Sequence, residues 1–487
     1  MTARLLLIFV AIVVSATKSR VETLASFKEH QALSTQGATA IKYFEIRGCS
    51  YLAVANAYNG RSYNLDSMVY AWNGSMFVTH QSFSTHGAQD LEFFEIAGAS
   101  YLAVANAGDD YGFDTDSIVY RWNTDTAVFD QHQNLATSCA HDLEYFTIDE
   151  IPYLAVANMK NGSTFEEGSY DINSKIYRWS HNQGMFVEHQ VLNTRGAKGM
   201  EYFTIDGVSY LAVGNFCDGS TYRANYNTNS MLYRWKYCAS EDCVGGNAFV
   251  EHQALATNAA AAFKYFEISG VSYLAVTNHY NGTSYGINCK VYRWSGSLFS
   301  EHQVLATHGA TSLMHFEIGG ASYLAVMNQL DYHSYFVDSK IYVWTGDGFV
   351  ERYSLATNGA HGCDYFMIGD SSYMAVANYR DDSSHATISK VYNLACPESE
   401  YLSGTKCLNE CPSGFYSSSS HTVGHICRAT TTTVSTTTQA IGSTTCWRSE
   451  VTDISGVQTP HLGHLHLRIV LFVCGSLHSY LSWPQDL

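Results

Sequence analysis

Phe77-Val78-Thr79-His80-Gln81, then Tyr101-Leu102-Ala103-Val104-Ala105-Asn106, then Val119-Tyr120-Arg121-Trp122 form a unit that returns, with small changes, seven times along the chain. Aligned on the Tyr-Leu-Ala-Val-Ala-Asn motif, the copies stand at Tyr51, Tyr101, Tyr153, Tyr210, Tyr273, Tyr323 and Tyr373, at intervals of 50, 52, 57, 63, 50 and 50 residues. Each copy holds four short runs rich in Val, Ile, Tyr, Phe and Trp, separated by Gly, Asn, Asp and Ser. In the second copy the runs are Leu91 to Ile96, Ser100 to Asn106, Ser117 to Trp122 and Val128 to Leu135. Four strands per repeat, seven times over, predict an all-β chain folded as a seven-bladed β-propeller. Tyr101 to Asn106 is apolar or small on both pleat faces, as a strand sandwiched between neighbouring blades requires.

Outward from the unit, the ends of the array specify its closure. Phe27-Lys28-Glu29-His30-Gln31-Ala32-Leu33 corresponds to a fourth strand, and the last copy supplies only three, ending near Leu394. Pairing residues 27–33 with the seventh copy closes the ring and removes the open edges of a linear array. The propeller is therefore expected over residues 27–394. Pro152 is the only proline before Pro397, consistent with strands that need their backbone donors.

Taken together, Phe299-x-x-His302-Gln303-x-Leu305-x-Thr307-x-Gly309-Ala310, the Tyr-Phe-x-Ile-x-Gly and Tyr-Leu-Ala-Val-Ala-Asn motifs and Val-Tyr-Arg-Trp resemble the EAR (epitempin, EPTP) repeat. That repeat occurs in the leucine-rich glioma-inactivated proteins and in a thrombospondin-type laminin G domain protein. The resemblance implies a seven-bladed propeller that works outside the cell by binding other proteins. The last copy departs from it, with Arg352-Tyr353 for His-Gln and Leu394 for Trp.

Flanking segments point to export. Arg4 precedes the apolar run Leu5 to Val14, and Val14-Ser15-Ala16 offers small residues for cleavage, so residues 1–16 are expected to be a secretory signal. The run has ten residues, short of the roughly 18 to 20 that a membrane span needs. Thirteen cysteines suit an oxidising compartment. Asn73, Asn161 and Asn281 head glycosylation sequons in Asn-Gly-Ser/Thr turns. Cys396, Cys407, Cys411 and Cys427 bracket a short module, residues 396–427, too small for a core without disulfides; four cysteines allow three pairings. Residues 428–445 are Thr-rich, as in a glycosylated stalk, and residues 446–487 are expected to be a disordered tail. The net charge of −17 disfavours nucleic acid and anionic lipid as partners.

The six His-Gln pairs, at His30, His80, His132, His189, His252 and His302, invite a metal reading, but fourth strands lie on the outer circumference. Residues spread around that ring cannot converge within the roughly 2.0 to 2.1 Å of zinc ligation. They are expected to bond neighbouring backbone, and Tyr-x-Trp pairs such as Tyr120 and Trp122 to pack blade against blade. Only innermost strands converge. Two residues before their Lys/Glu-Tyr/Phe pair stand Ala40, Asp90, Asp142, Gly199, Ala262, Ser312 and Gly362. Asp90 and Asp142 in adjacent blades would repel unless one takes a proton or a cation lies between them, and a hard cation such as Ca2+ suits carboxylate and carbonyl oxygens. The family resemblance implies a channel Ca2+ held by Asp90 and Asp142 with the carbonyls of Leu91 and Leu143. The bland reading is a pair of solvated carboxylates.

Loops joining second and third strands are enlarged at residues 159–173 and 216–229, on the face where the Asp pair should open. Cys217 and Cys289 are expected in neighbouring loops there, within reach of a bridge, and Cys238 and Cys243 could close a small loop on the opposite face. Loop variation on a rigid scaffold is where recognition resides. The leading expectation is a secreted propeller that is not an enzyme and binds an extracellular or cell-surface protein. A carbohydrate-binding propeller, using Tyr111, Tyr222, Tyr285 and Tyr335, is second. A propeller hydrolase is third, since no nucleophile or acid-base constellation beyond Asp90 and Asp142 stands near the axis.

Overall fold

In the computed structural model, the residues described are 25–396, apart from 163, 165, 166, 221–223 and 238–245. The signal segment 1–16, Cys238, Cys243, Tyr222, Cys407, Cys411, Cys427, the Thr-rich linker and the tail lie outside them. All regular structure among the described residues is strand. Seven four-stranded antiparallel sheets are arranged as the blades of a propeller. Blade 2 shows the match to its sequence: strands Ala88–Ile96, Ala99–Asn106, Ser117–Asn123 and Val128–Leu135. Blade 7 is composite, its outer strand Ser26–Gln36 running against Ala386–Ala395 from Ser26 opposite Ala395 to Gln36 opposite Ala386. The ring is thus closed by the first strand of the propeller, as the missing fourth strand of the last copy requires.

Apolar residues sit between blades rather than at a single centre. Leu102 and Val104 of blade 2 pack with Ala53 and Ala55 of blade 1, while Ala103 and Ala105, on the other face of the same strand, pack with Leu154 and Val156 of blade 3. A strand buried on both faces explains the Leu-Ala-Val-Ala run, all at 0% exposure in blade 2.

The repeated polar residues fasten these interfaces. Each of the six histidines sets its Nε2 against a backbone carbonyl of the next blade, from His80 on Ala127 O at 2.6 Å to His302 on Asp347 O at 2.9 Å. The adjoining glutamine pairs twice with one backbone unit. Gln81 Nε2 donates to Phe129 O at 2.8 Å and Phe129 N donates to Gln81 Oε1 at 2.8 Å. Trp122 packs on Tyr51 and His80 of the preceding blade, at centroid distances of 5.3 and 5.9 Å. Where the last copy has Arg352-Tyr353, the Tyr353 hydroxyl donates to Ala25 O at 2.6 Å, so the departure falls at the seam of the ring.

Inside each blade a buried hydroxyl pair recurs, as between Ser117 and Thr137 at 2.9 Å. In blade 5 the serine place is taken by Cys289, whose thiol lies 3.3 Å from Thr307 Oγ1. This corrects the expected Cys217–Cys289 bridge: both are free, buried thiols, Cys289 sealed within its own blade and Cys217 packed beside Phe216. Cys396 is disulfide-bonded, and so is Cys49, a residue the sequence reading passed over. At the place of Cys49 the other blades have Ala99, Ile151, Val208, Val271, Ala321 and Ser371, so its presence in one copy alone was the available signal.

Candidate functional site

The seven innermost strands line a channel of about 200 Å³. Each strand starts with a β-bulge, in blade 3 between Ala140 and Asp142. The bulge turns two successive side chains, His141 and Asp142, to the channel before the pleat resumes and brings Glu144 to the same face. The wall therefore has three tiers. The upper tier carries Gln89, His141, Lys198 and His361; the middle tier carries Asp90 and Asp142; the lower tier carries Lys42, Glu92, Glu144, Glu201, Lys264 and Asp364. Gly199 and Gly362 share the middle tier with Ala40, Ala262 and Ser312, and the walls touch at the two glycines. A Cβ on Gly199 would meet Ala261 O at 2.4 Å.

Asp90 and Asp142 converge as expected, and each also fastens the next blade. Asp90 Oδ2 accepts Leu143 N at 3.1 Å, and Asp142 Oδ2 accepts Met200 N at 2.5 Å. Glu144 does the same for Tyr202 N, Glu201 for Tyr265 N and Asp364 for Tyr43 N, at 2.9, 2.9 and 2.7 Å. Carboxylates thus cap the open N–H groups on the inner edge of the following blade, at the cost of crowding negative charge. Burial, with Glu92 nearby, lifts the pKa of Asp90 to about 6, and burial lifts that of Asp364 to about 6. Burial, then Asp90 and Glu144, hold Asp142 well above the usual carboxylate range, and burial with Glu201 and Glu92 does so for Glu144. Two lysines offset part of this charge: Lys42 pairs with Glu92 at 2.7 Å and Lys264 with Glu201 at 3.0 Å.

The donor set around Asp90 and Asp142 fits a hard cation. Leu143 gives its N–H to Asp90 rather than to Val156 opposite it. In an antiparallel pair N–H and C=O of one residue point the same way, so the Leu143 carbonyl is also turned from its own sheet. Leu91, opposite Val104 in the equivalent register, is placed likewise. A cation there would depend on these carbonyls, because among the described residues no three His, Cys, Asp or Glu side chains cluster closely enough to hold a metal by themselves.

The lower tier and the upper lysine and histidines are channel residues that the sequence reading left aside. Glu92 lies two residues from Asp90, so strand alternation already placed it on the axis. His141, Lys198 and His361 follow only from the bulge.

Above the channel, the loops stitch blade to blade. Gly87 N donates to Tyr63 O at 2.7 Å, Gly196 N to Tyr170 O at 2.5 Å and Gly359 N to Tyr335 O at 2.7 Å. Tyr285 and Tyr335 occupy this repeated stitching position, with Tyr280 against one ring at 4.6 Å and Arg380 over the other at 4.6 Å. Tyr111 projects freely, 80% exposed. The two enlarged loops join each other: Ser169 and Ser220 form an isolated β-bridge, and Tyr170 N donates to Gly219 O at 2.9 Å. Phe216, Cys217 and Ala259, with Tyr170, Tyr226 and Tyr280, form a small apolar cluster under this junction. Asn73, Asn161 and Asn281 each accept backbone N–H groups of their own turns through Oδ1. Among the described residues no helix is long and apolar enough to cross a membrane.

Fold and channel together define a seven-bladed β-propeller of repeated four-stranded units whose variable chemistry lies on the axis and one loop face. Six segments, residues 26–73, 76–123, 128–180, 185–236, 248–295 and 298–345, match the EPTP domain, and the chain belongs to that family. It is similar to the thrombospondin-type laminin G domain and EAR repeat-containing proteins of Mus musculus, 33% identical over 166 residues, and Homo sapiens, 32% identical over 164 residues. Each match covers 34% of this chain and 22% of the relative, so the chain aligns with about a fifth of those proteins.

Proposed function

We propose that the protein is a secreted propeller that binds an extracellular or cell-surface protein through the loop face around blades two to four, with Ca2+ bracing the channel. The observation that carries this reading is the junction of the two enlarged loops. Loops that share a β-bridge and an apolar cluster are a built platform, raised over an otherwise repetitive face. Export is supported by the disulfides at Cys49 and Cys396, which persist in oxidising surroundings. A carbohydrate platform needs rings projecting at repeated sites. Tyr285 and Tyr335 are instead packed, which favours a protein partner.

The test is a cell-surface binding and proximity-labelling screen with the secreted propeller, with and without Ca2+. A protein partner lost on loop-face substitution supports the reading. Glycan-array binding without any protein partner overturns it. For the cation, calorimetric titration of metal-stripped protein should give one Ca2+ site that disappears in Asp142→Ala. No heat on adding Ca2+ would remove the metal.

A further inference from the structure

Lys198 differs from the other channel lysines. Lys42 and Lys264 each have a carboxylate partner, whereas no ion pair among the described residues includes Lys198. Its Nζ lies 4.8 Å over the Phe216 ring, at the channel mouth beside the joined loops. Among the described residues the groups that bear on its charge are the thiols of Cys139 and Cys217, which Lys160 also faces, while Asp171 and Asp218 bear on Cys217 rather than on Lys198. The thiols of Cys139 and Cys217 are pushed by burial to about 12 and stay protonated. Burial, reinforced by the charge of Lys198, lowers His279 to about 3 and His361 well below its usual value, so both imidazoles are neutral. Burial also lowers Lys198, to about 8, which leaves it charged at neutral pH. Asp142, one tier below, is turned to Met200 N. A desolvated ammonium without a counter-charge is costly, and in a chain of net charge −17 carboxylates to pair with it are plentiful.

The imidazoles narrow the ligand. His361 Nδ1 lies 3.0 Å from Thr39 O, so in that neutral ring Nδ1 carries the proton and Nε2 is an acceptor, and His141 sets its Nδ1 against Cys139 O at the same distance. A mouth with one cationic donor flanked by neutral acceptors suits a carboxylate that arrives with N–H donors beside it. That is the chemistry of an acidic side chain on a peptide backbone. We propose that the channel mouth at Lys198 is a receptor for the carboxylate of an acidic residue in a partner's peptide segment. The site rests on the loop face being the binding face, and it names what that face recognises.

The test uses the intact secreted protein with its lysines 13C-dimethylated, Lys198 assigned from a Lys198→Gln variant. Probes are the blocked tripeptides Ac-Gly-Asp-Gly-amide and Ac-Gly-Asn-Gly-amide, and sodium acetate. The Lys198 signal should titrate near pH 8 in free protein and near pH 9 or above when saturated with the Asp peptide. Binding should weaken about tenfold between pH 7 and pH 9.5, since a pKa raised by one on binding is a tenfold preference for the ammonium form. Cys139, Cys217, His279 and His361 do not change protonation in that window. Lys42 and Lys264 serve as unshifted references, and Lys198→Arg should keep the binding that Lys198→Gln loses. Acetate binding as tightly as the Asp peptide would assign the site to free carboxylates and overturn the peptide source. No shift with either carboxylate, or unchanged binding in Lys198→Gln, overturns the site itself. Peptide binding without adhesion to any cell surface would keep the site and remove the broader reading above.

Discussion

The outer circumference and the axis of this propeller are built from the same seven repeats and obey opposite rules. On the circumference the copies agree, and agreement is structural: six histidines and six glutamines each meet the backbone of the next blade in one geometry. On the axis the copies disagree, and adjacent blades present His141 beside Lys198, Asp142 beside Gly199, and Glu144 beside Glu201. Repetition of a residue on the outer ring places its copies apart, whereas the innermost strands converge, so side chains of different blades can combine into a site only near the axis. Seven copies of one motif therefore mark the scaffold, and their departures mark the places where chemistry is concentrated.

The largest test of this contrast is removal of the seam. Deleting residues 26–36 strips blade 7 of its outer strand, and no folded monomer should be secreted; an intact, monodisperse deletion variant would break the account of closure. Next is a circumferential fastener. Gln81→Ala leaves Phe129 N–H and C=O without partners and should cost about 2 kcal/mol, read by denaturant unfolding.

The axis should respond in the opposite direction. Asp142→Asn keeps an oxygen for Met200 N but removes a charge that the fold disfavours, and should raise the denaturant midpoint of metal-free protein at pH 7.5. Asp142 has a folded pKa above its ordinary value of 3.8, so its contribution is whole below that value and is lost as pH rises through the folded pKa. The gain from the variant should accordingly shrink at pH 5. The smallest effect is expected for Cys289→Ser, within about 0.5 kcal/mol, because it installs the hydroxyl that the other blades carry.

How much of this was legible follows the same division. The blades, their four strands and the closing strand could be read because period-two alternation and a fixed register recur. Asp90 and Asp142 could be read by aligning copies at one axial position. Lys198, His141 and His361 were hidden by the bulge, which breaks alternation one residue before Asp142 and turns an extra side chain to the axis. Glu92, Glu144 and Glu201 were visible as alignment markers but were not carried two residues along the strand to the channel. Cys217 and Cys289 looked like a loop pair because spacing alone does not show that one of them stands in a buried serine position.

The contrast itself is tested most directly by quantitative cell-surface binding of two secreted double variants of matched stability. One carries Tyr111→Ala with Lys198→Gln on the loop face; the other carries Val78→Thr with Val350→Thr on the outer strands, where these valines are 40% and 53% exposed. The loop-face variant should lose at least tenfold in affinity while the outer variant binds as the parent does. Full binding by the loop-face variant, with loss in the outer one, would contradict the claim that the departures between copies carry the function.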